Sequence, residues 1–193
     1  VTALDVYAGC PRRFRFLFVD GHPGLAPEEQ DDDGDRPSGT DAATLGNLVH
    51  QALELGLQDE AAVRRLAAQT CPGLAVQRVD EAVTMVEAWY RNPAFDPVRG
   101  ASDEQETAFC ATVEGLRLTG RIDRVGPAHL VDYKTGRRVT AADHRMQLWV
   151  YTQHCPGRRA WLAALREPAR LIEVTPADLA AGAAQVSAVA AGI

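Results

Sequence analysis

The sequence predicts an α/β fold, with a helical first half and a second half in which strands and helices alternate. Up to about residue 91, apolar residues recur at the three- and four-residue spacing of amphipathic helices. From Glu104 the pattern changes to the two-residue alternation of strands. An apolar content of 46% over 193 residues is sufficient for one domain with a substantial core. We therefore expect a single domain over 1–193, in which a mainly helical part, 1–100, precedes an α/β core, 101–193.

Helices are predicted in the first part at residues 2–19, in two pieces broken at Gly9-Cys10-Pro11, and at 41–57, 60–69 and 76–91. A Gly-, Pro- and acid-rich stretch at about 20–39 is expected to be a mobile surface loop. Gly46, His50 and Glu54 recur at intervals of four and share one stripe of their helix. A helical histidine is more often a packed or surface residue than a ligand, so His50 alone does not indicate a site.

Three consecutive strands follow, at Glu104–Val113, Leu116–Val125 and His129–Thr135. Tight turns at Glu114-Gly115 and Pro127-Ala128 set the antiparallel register between them. In that register Glu106 lies opposite Asp123, and Asp123 lies opposite Asp132. Three neighbouring carboxylates repel one another unless a cation lies among them. The alternative for Glu106 is the solvated face of an edge strand, which commonly carries charge.

Lys134 is the only lysine in the chain and lies two residues after Asp132. Residues two apart on a strand share one face of the sheet, so we expect this ammonium beside the Asp132 carboxylate. Lysine is a compact cation suited to orienting or deprotonating a water molecule. The alternative is chance in a chain whose other basic residues are all arginine.

A helix is predicted at 141–154, with Gln147 and Tyr151 one turn apart on one face. Strands at 160–166 and 170–174, joined at Glu167-Pro168, and an alanine-rich helix from Pro176 complete the pattern.

The net charge of −6 argues against a generally basic nucleic-acid binder, although the arginines cluster locally. Four cysteines without a C-x-x-C pair argue against a zinc ribbon or a disulfide scaffold and suit a reducing cytoplasm. No run of apolar residues is long enough to span a membrane, and the N-terminus lacks the pattern of a signal peptide. The chain also lacks an initiating methionine, which favours a module excised from a longer protein over a free-standing enzyme.

Four motifs occur in a fixed order: G-N-L-V-H ending at His50, G-R-I-D ending at Asp123, D-Y-K-T-G from Asp132, and Q-L-W-V-Y from Gln147 to Tyr151. In this order they resemble the RecB-like branch of the PD-(D/E)xK nuclease superfamily. The N-terminal C-P-R-R-F resembles the entry helix of that branch, and the resemblance covers about residues 2–175. It implies a restriction-endonuclease-like core, with a mixed central β-sheet flanked by helices, that hydrolyses DNA phosphodiester bonds.

The resemblance also implies roles for individual residues. Mg²⁺ or Mn²⁺ would be bound by His50, Asp123, Asp132, the main-chain carbonyl of Tyr133 and, less securely, Glu106. Lys134 would orient or activate the attacking water, and Gln147 and Tyr151 would position the DNA backbone and the lysine. Arginines are expected to contact DNA at Arg12, Arg13, Arg137, Arg138 and Arg145.

The expected partners are DNA, preferably single-stranded, and a helicase module that would be fused to or associated with this nuclease in recombinational repair. Two alternatives remain open: a catalytically silent DNA-binding or scaffold domain, and a RecB-like exonuclease of the CRISPR-adaptation type. Some RecB-like nucleases bind an iron–sulfur cluster through one early and three late cysteines. Cys10 matches the early position, but no cysteine follows Cys155. We therefore expect no cluster in this chain, unless late cysteines lie beyond its end.

Overall fold

The computed structural model describes residues 2–15 and 39–192, and elements are numbered in chain order within these ranges. The helices are α1 Thr2–Gly9, α2 Pro11–Phe14, α3 Gly39–Glu54, α4 Glu60–Thr70, α5 Val76–Arg91, a 3₁₀ helix Pro93–Val98, α6 Ala141–His154 and α7 Pro176–Ala190. The strands are β1 Glu104–Val113, β2 Leu116–Val125, β3 His129–Lys134, β4 Arg159–Ala164 and β5 Arg170–Glu173. Apart from Gly39, with which α3 begins, the acidic loop predicted at about 20–39 lies outside the described residues.

The five strands form one mixed sheet in the order β1-β2-β3-β4-β5. β3 and β4 pair in parallel, and the other neighbouring pairs are antiparallel. The parallel pair requires a crossover, which α6 provides. Because β3 and β4 run in the same direction, their carboxyl ends lie at the same edge of the sheet. The predicted fold class, a mixed sheet flanked by helices with an N-terminal helical region, is confirmed.

Two apolar clusters pack against the sheet, one on each face. The first contains β2, β4, α6 and α7, with Ile122, Leu148 and Leu162 completely buried. The second contains α3, α4 and α5 with alternate residues of β3 and β4, including Val131 and Tyr133. The alternation along β3 therefore directs Val131 and Tyr133 towards α3 and α5, and leaves Asp132 and Lys134 on the α6 side.

Both predicted strand registers are confirmed. In the first hairpin Gln105 pairs with Arg124, and Thr107 pairs with Ile122. In the second, Val125 pairs with Leu130, and the Gly126 N–H donates to the His129 carbonyl at 2.9 Å, which closes the turn at Pro127-Ala128.

The structure departs from an ideal ladder at the positions where the site residues lie. Glu106 is flanked by paired residues but forms no ladder pair itself, and its φ of 48° is in the left-handed region. The pairing of β2 with β3 ends at Arg124 and Val131, one position before Asp123 and Asp132. Ile122 packs in the α6 cluster, whereas Arg124 stacks over the Trp89 ring at 5.5 Å on the other face. The regular alternation of β2 is therefore interrupted at Asp123.

The 3₁₀ helix at Pro93–Val98 was not expected from the sequence. It buries Phe95 and Val98 in the second cluster, and Asn92 caps it by accepting the Ala94 N–H at 2.9 Å. In the described residues, no helix combines the length and the apolar character that crossing a bilayer requires.

Candidate active site

His50 is held against the diverging ends of β2 and β3 by helix α3. Its Nδ1 lies 3.3 Å from Asp123 Oδ1, and its Nε2 lies 3.1 Å from the main-chain oxygen of Tyr133. The apolar side of α3, with Leu45, Val49 and Leu53 almost completely buried, fixes the helix on the sheet. The predicted histidine, carboxylate and main-chain carbonyl are therefore adjacent in the structure.

Glu106 joins this group because of its unusual backbone. One ligand atom from each of His50, Glu106 and Asp123 lies within 4.8 Å of the other two. A non-glycine residue with positive φ costs about 1 kcal/mol or more, and such conformations concentrate at functional sites. The interpretation of Glu106 as a solvated edge-strand residue does not fit, since its side chain is only 17% exposed and lies beside Asp123.

Asp132 and Lys134 form the second half of the site, on the α6 side of the sheet. Lys134 Nζ lies 2.9 Å from Asp132 Oδ2 and donates to Gln147 Oε1 at 3.2 Å. The Gln147 amide in turn donates from Nε2 to Asp132 Oδ1 at 2.9 Å. One amide side chain thus orients both the carboxylate and the ammonium.

Tyr151 connects this network to the neighbouring strand. Its hydroxyl accepts a hydrogen bond from Gln147 Nε2 at 2.7 Å and donates to the Arg121 carbonyl at 2.9 Å. Gln147 and Tyr151 therefore lie on one face of α6 and belong to one hydrogen-bond network, as their spacing predicts. Neither side chain is bonded directly to the His50 group.

Charge and burial shift the pKa values of several residues in the site. Burial opposes the imidazolium of His50, but the carboxylates of Asp123 and Asp132 outweigh it and raise its pKa to about 9. Burial raises the pKa of Asp132 to about 6, against the lowering effect of Lys134. Burial and the neighbouring Asp123 raise the pKa of Glu106. Perturbed groups gathered in one place are typical of functional sites.

The residues present fit a divalent cation. The carboxylates of Glu106 and Asp123 are grouped with the His50 imidazole, which lies against the Tyr133 carbonyl. Burial, together with the negative charge of Asp123, raises the pKa values of Glu106 and Asp132. Carboxylate and carbonyl oxygens are the ligands that Mg²⁺ and Mn²⁺ prefer, and imidazole is a common additional ligand. His50, Glu106 and Asp123 are the residues whose geometry suits one ion most closely. Asp132 lies beside them and is paired with Lys134.

A known protein family matches most of the chain. The model of the PD-(D/E)XK nuclease superfamily matches residues 1–176. The chain belongs to this superfamily. Nuclease function and the use of divalent metals are therefore supported by family as well as by geometry. Asp132-Tyr133-Lys134 has the D-x-K spacing that appears in the superfamily's name.

A solved structure shares the fold of this superfamily member. It is the crystal structure of a protein from Eubacterium rectale that is described as a candidate exonuclease. The two are 15% identical with a TM-score of 0.58, and the match covers 82% of this chain and 70% of the other. At this identity the likeness concerns the fold alone. No curated protein sequence matches the chain.

The loop after the D-x-K element is fixed by residues that the sequence did not single out. Arg166, which follows β4, donates from Nε to the Thr135 carbonyl at 3.1 Å and from Nη1 to Glu81 Oε2 at 3.0 Å. The parallel pairing of β3 with β4 explains this contact, because the carboxyl ends of the two strands meet at one edge. A Cβ atom at Gly46 would lie 3.3 Å from Thr135 Oγ1, so the glycine of the G-x-x-x-H motif permits α3 to approach this loop closely.

A second histidine, His144, lies near the site, and the sequence did not single it out. It is half-buried on α6, one turn before Gln147. Burial and the charge of Lys134 lower its pKa to about 4, so its imidazole is neutral near pH 7.

The predicted DNA-contacting arginines occupy different surroundings. Arg137 and Arg138 are exposed in the loop between β3 and α6, close in sequence to Lys134. Arg12 is exposed and Arg13 half-buried in the short helix α2. Arg145 instead donates to Gln185 Oε1 of α7 at 2.8 Å, so the structure shows it in a helix–helix contact.

The four cysteines are unpaired, and they lie on different elements. Cys10 and Cys110 are exposed, Cys71 is half-buried and Cys155 is buried. Within the described part of the chain, no three of them come close enough to bind one metal ion together.

Proposed function

We propose that this chain is a Mg²⁺- or Mn²⁺-dependent deoxyribonuclease of the RecB-like branch, which hydrolyses phosphodiester bonds. The observation that carries the proposal is the pair of adjoining clusters. The ligand atoms of His50, Glu106 and Asp123 lie within 4.8 Å of one another, and the Lys134–Asp132–Gln147 network adjoins them. A cation site next to a positioned ammonium is the arrangement that hydrolysis of an already anionic phosphodiester requires.

A divalent ion in the first cluster would supply positive charge to the phosphoryl oxygens and make a neighbouring water more acidic. Lys134 then orients the attacking water and donates a hydrogen bond to the oxygens on which negative charge develops. The 2.9 Å contact with Asp132 holds the ammonium beside the site of the reacting phosphate.

Gln147 and Tyr151 keep this geometry constant through the reaction. The Gln147 amide holds Lys134 and Asp132 at once, and the Tyr151 hydroxyl fixes Gln147 against the main chain of β2. Such prior orientation lowers the barrier because the charged groups need not reorganise when the reaction occurs.

We infer that the substrate is DNA, preferably single-stranded, and that the domain works as the nuclease module of a helicase–nuclease in recombinational repair. The order of the four motifs supports this inference. Exposed Arg137 and Arg138 beside the D-x-K loop offer positive charge for the phosphate backbone. Four unpaired thiols suit a reducing cytoplasm.

A cleavage assay tests the proposal. Labelled single- and double-stranded DNA are incubated with Mg²⁺, Mn²⁺ or EDTA and with the wild type, Lys134→Ala or the control Arg65→Ala. Arg65 is an exposed cation on α4, a helix that contributes no site residue. We expect cleavage only with metal, abolished in Lys134→Ala and unchanged in Arg65→Ala. DNA binding without cleavage by the wild type would instead favour the catalytically silent domain, and cleavage in EDTA would exclude metal dependence.

A further inference from the structure

Arg121 lies at the edge of the candidate site with a fixed main chain and an exposed side chain. Its carbonyl accepts the Tyr151 hydroxyl at 2.9 Å, so this point of β2 is fastened to α6. Its side chain is 65% exposed, in contrast to the largely buried groups around it. A cation that is exposed at its tip and anchored at its backbone is suited to contacting a ligand that arrives from solvent.

The guanidinium is held only weakly by the protein. Among the described residues, Glu106 is its ion-pair partner, with Arg121 Nη1 3.9 Å from Glu106 Oε2. An ion pair at that distance with one partner largely exposed contributes little to stability. Glu106 also belongs to the group of ligand atoms that suits a divalent ion. When the Glu106 carboxylate binds a cation, the N–H donors of Arg121 are available to another anion.

The position of the guanidinium indicates which anion this is. Arg121 Nη1 lies 3.9 Å from Glu106 Oε2, and a ligand atom of Glu106 lies within 4.8 Å of those of His50 and Asp123, so the guanidinium is next to the candidate cation site. When the reacting phosphate of a nucleic-acid strand lies at that site, a neighbouring phosphate of the same strand is the anion that Arg121 can reach. Two oxygens of a phosphate also match the planar guanidinium, which can donate to both.

We propose that Arg121 binds the phosphate next to the one that is cleaved and so sets the register of the strand over the candidate site. This inference rests on the proposed nuclease function. Since the neighbouring phosphate does not react, the contact is equally strong before and during the reaction. Loss of Arg121 should therefore raise KM about tenfold and leave kcat nearly unchanged.

The test uses single-stranded oligonucleotides that each contain one methylphosphonate, a neutral linkage, at successive positions. Cleavage products in Mg²⁺ are mapped for the wild type, Arg121→Ala, Arg121→Lys and Arg117→Ala. Arg117 is an exposed arginine of the same strand whose Nε points to Cys110 Sγ at 3.3 Å, and it serves as the matched control.

In the wild type and Arg117→Ala, we expect one methylphosphonate to block or slow cleavage at two linkages: the methylphosphonate itself and the adjacent linkage whose cleavage needs that phosphate bound to Arg121. In Arg121→Ala, cleavage should be slowed at the methylphosphonate only. Arg121→Lys should restore part of the slowing at the adjacent linkage. An unchanged two-linkage pattern in Arg121→Ala would overturn the role of Arg121 while leaving the nuclease function standing. Absence of metal-dependent cleavage by the wild type would overturn the nuclease function itself, and this role with it.

Discussion

The Asp123 carboxylate accepts a hydrogen bond from the main-chain N–H of Tyr133, with Oδ2 and N 2.5 Å apart. This bond replaces the strand pairing of β2 with β3, which ends one position earlier. The other oxygen of Asp123 faces the imidazole of His50 at 3.3 Å. One buried side chain thus satisfies the backbone and contributes to the candidate cation site. For this reason Asp123→Asn, which keeps an acceptor for Tyr133, is a cleaner test of the charge than Asp123→Ala.

Gln147→Met should impair cleavage far more than folding. The change removes the amide that orients Asp132 and Lys134 but keeps a side chain of similar length. We expect kcat to fall about 10- to 100-fold, the range typical of groups that orient the ligands of a metal site. Steady-state kinetics with a labelled oligonucleotide checks this result, and the exposed Gln153 of the same helix provides the control Gln153→Met. Equal kcat values in the two variants would show that the amide does not position the lysine.

Arg166→Ala should lower kcat about tenfold with little change in KM. Arg166 holds the Thr135 carbonyl next to Lys134. Loss of the Arg166 side chain should therefore let Lys134 move away from its reactive position without removing a DNA contact. Glu81→Gln should have a smaller effect in the same direction, since Glu81 orients Arg166 and also accepts from Arg78 at 3.0 Å. Kinetics of both variants and of the control Arg64→Ala, which breaks exposed ion pairs with Glu60 and Asp80, measure the effect. A rise in KM at constant kcat would assign Arg166 to DNA binding.

A buried charge cluster outside the candidate site should govern acid stability. Burial opposes the charge of Asp103, but Arg124, the Gly100 N–H and His129 outweigh it and lower its pKa. A group whose pKa is lower in the folded state stabilises the protein above its unfolded pKa of about 4, and this stability is lost as the pH falls through the folded value. We therefore expect the wild type to lose stability below about pH 4.

Asp103→Asn tests this assignment by urea unfolding at pH 7 and at pH 3. At pH 7 the variant should be about 3 kcal/mol less stable, because it leaves the side chain of Arg124, 10% exposed, without its carboxylate. At pH 3 the difference should shrink. The control Asp80→Asn breaks an exposed pair and should cost less than about 1 kcal/mol. If the free energy of unfolding falls by the same amount at both pH values, Asp103 does not cause the loss of stability in acid.

Strand registers and helix faces could be predicted from the sequence because they depend on local spacing. The turns at Glu114-Gly115 and Pro127-Ala128 set the registers that the structure shows on either side of the site, with Gln105 opposite Arg124 and Val125 opposite Leu130. The expected direct facing of Glu106 with Asp123, and of Asp123 with Asp132, is absent from the observed strand pairs. The four-residue interval from Gln147 to Tyr151 likewise places both side chains in one network.

Other features depend on contacts between distant segments, which spacing does not encode. The positive φ of Glu106 and the early end of the β2–β3 pairing arise where α3 presses His50 against the sheet. The contact of Asp132 with Lys134 agrees with their two-residue spacing, but spacing did not indicate that the closest group of ligand atoms would consist of His50, Glu106 and Asp123. The role of Arg166 follows from the parallel pairing of β3 with β4, which could have been anticipated from the crossover helix between them.

The central claim is that the His50–Glu106–Asp123 group binds a divalent ion, and calorimetric titration with Mn²⁺ tests it most directly. The wild type and Asp80→Asn should bind Mn²⁺ alike, since Asp80 lies on α5 in an exposed ion pair with Arg64. Asp123→Asn should bind it at least about tenfold more weakly while unfolding cooperatively in urea, because it loses a charged ligand and keeps an acceptor for Tyr133. Equal Mn²⁺ affinity in Asp123→Asn and the wild type, or no binding by either, would contradict the account.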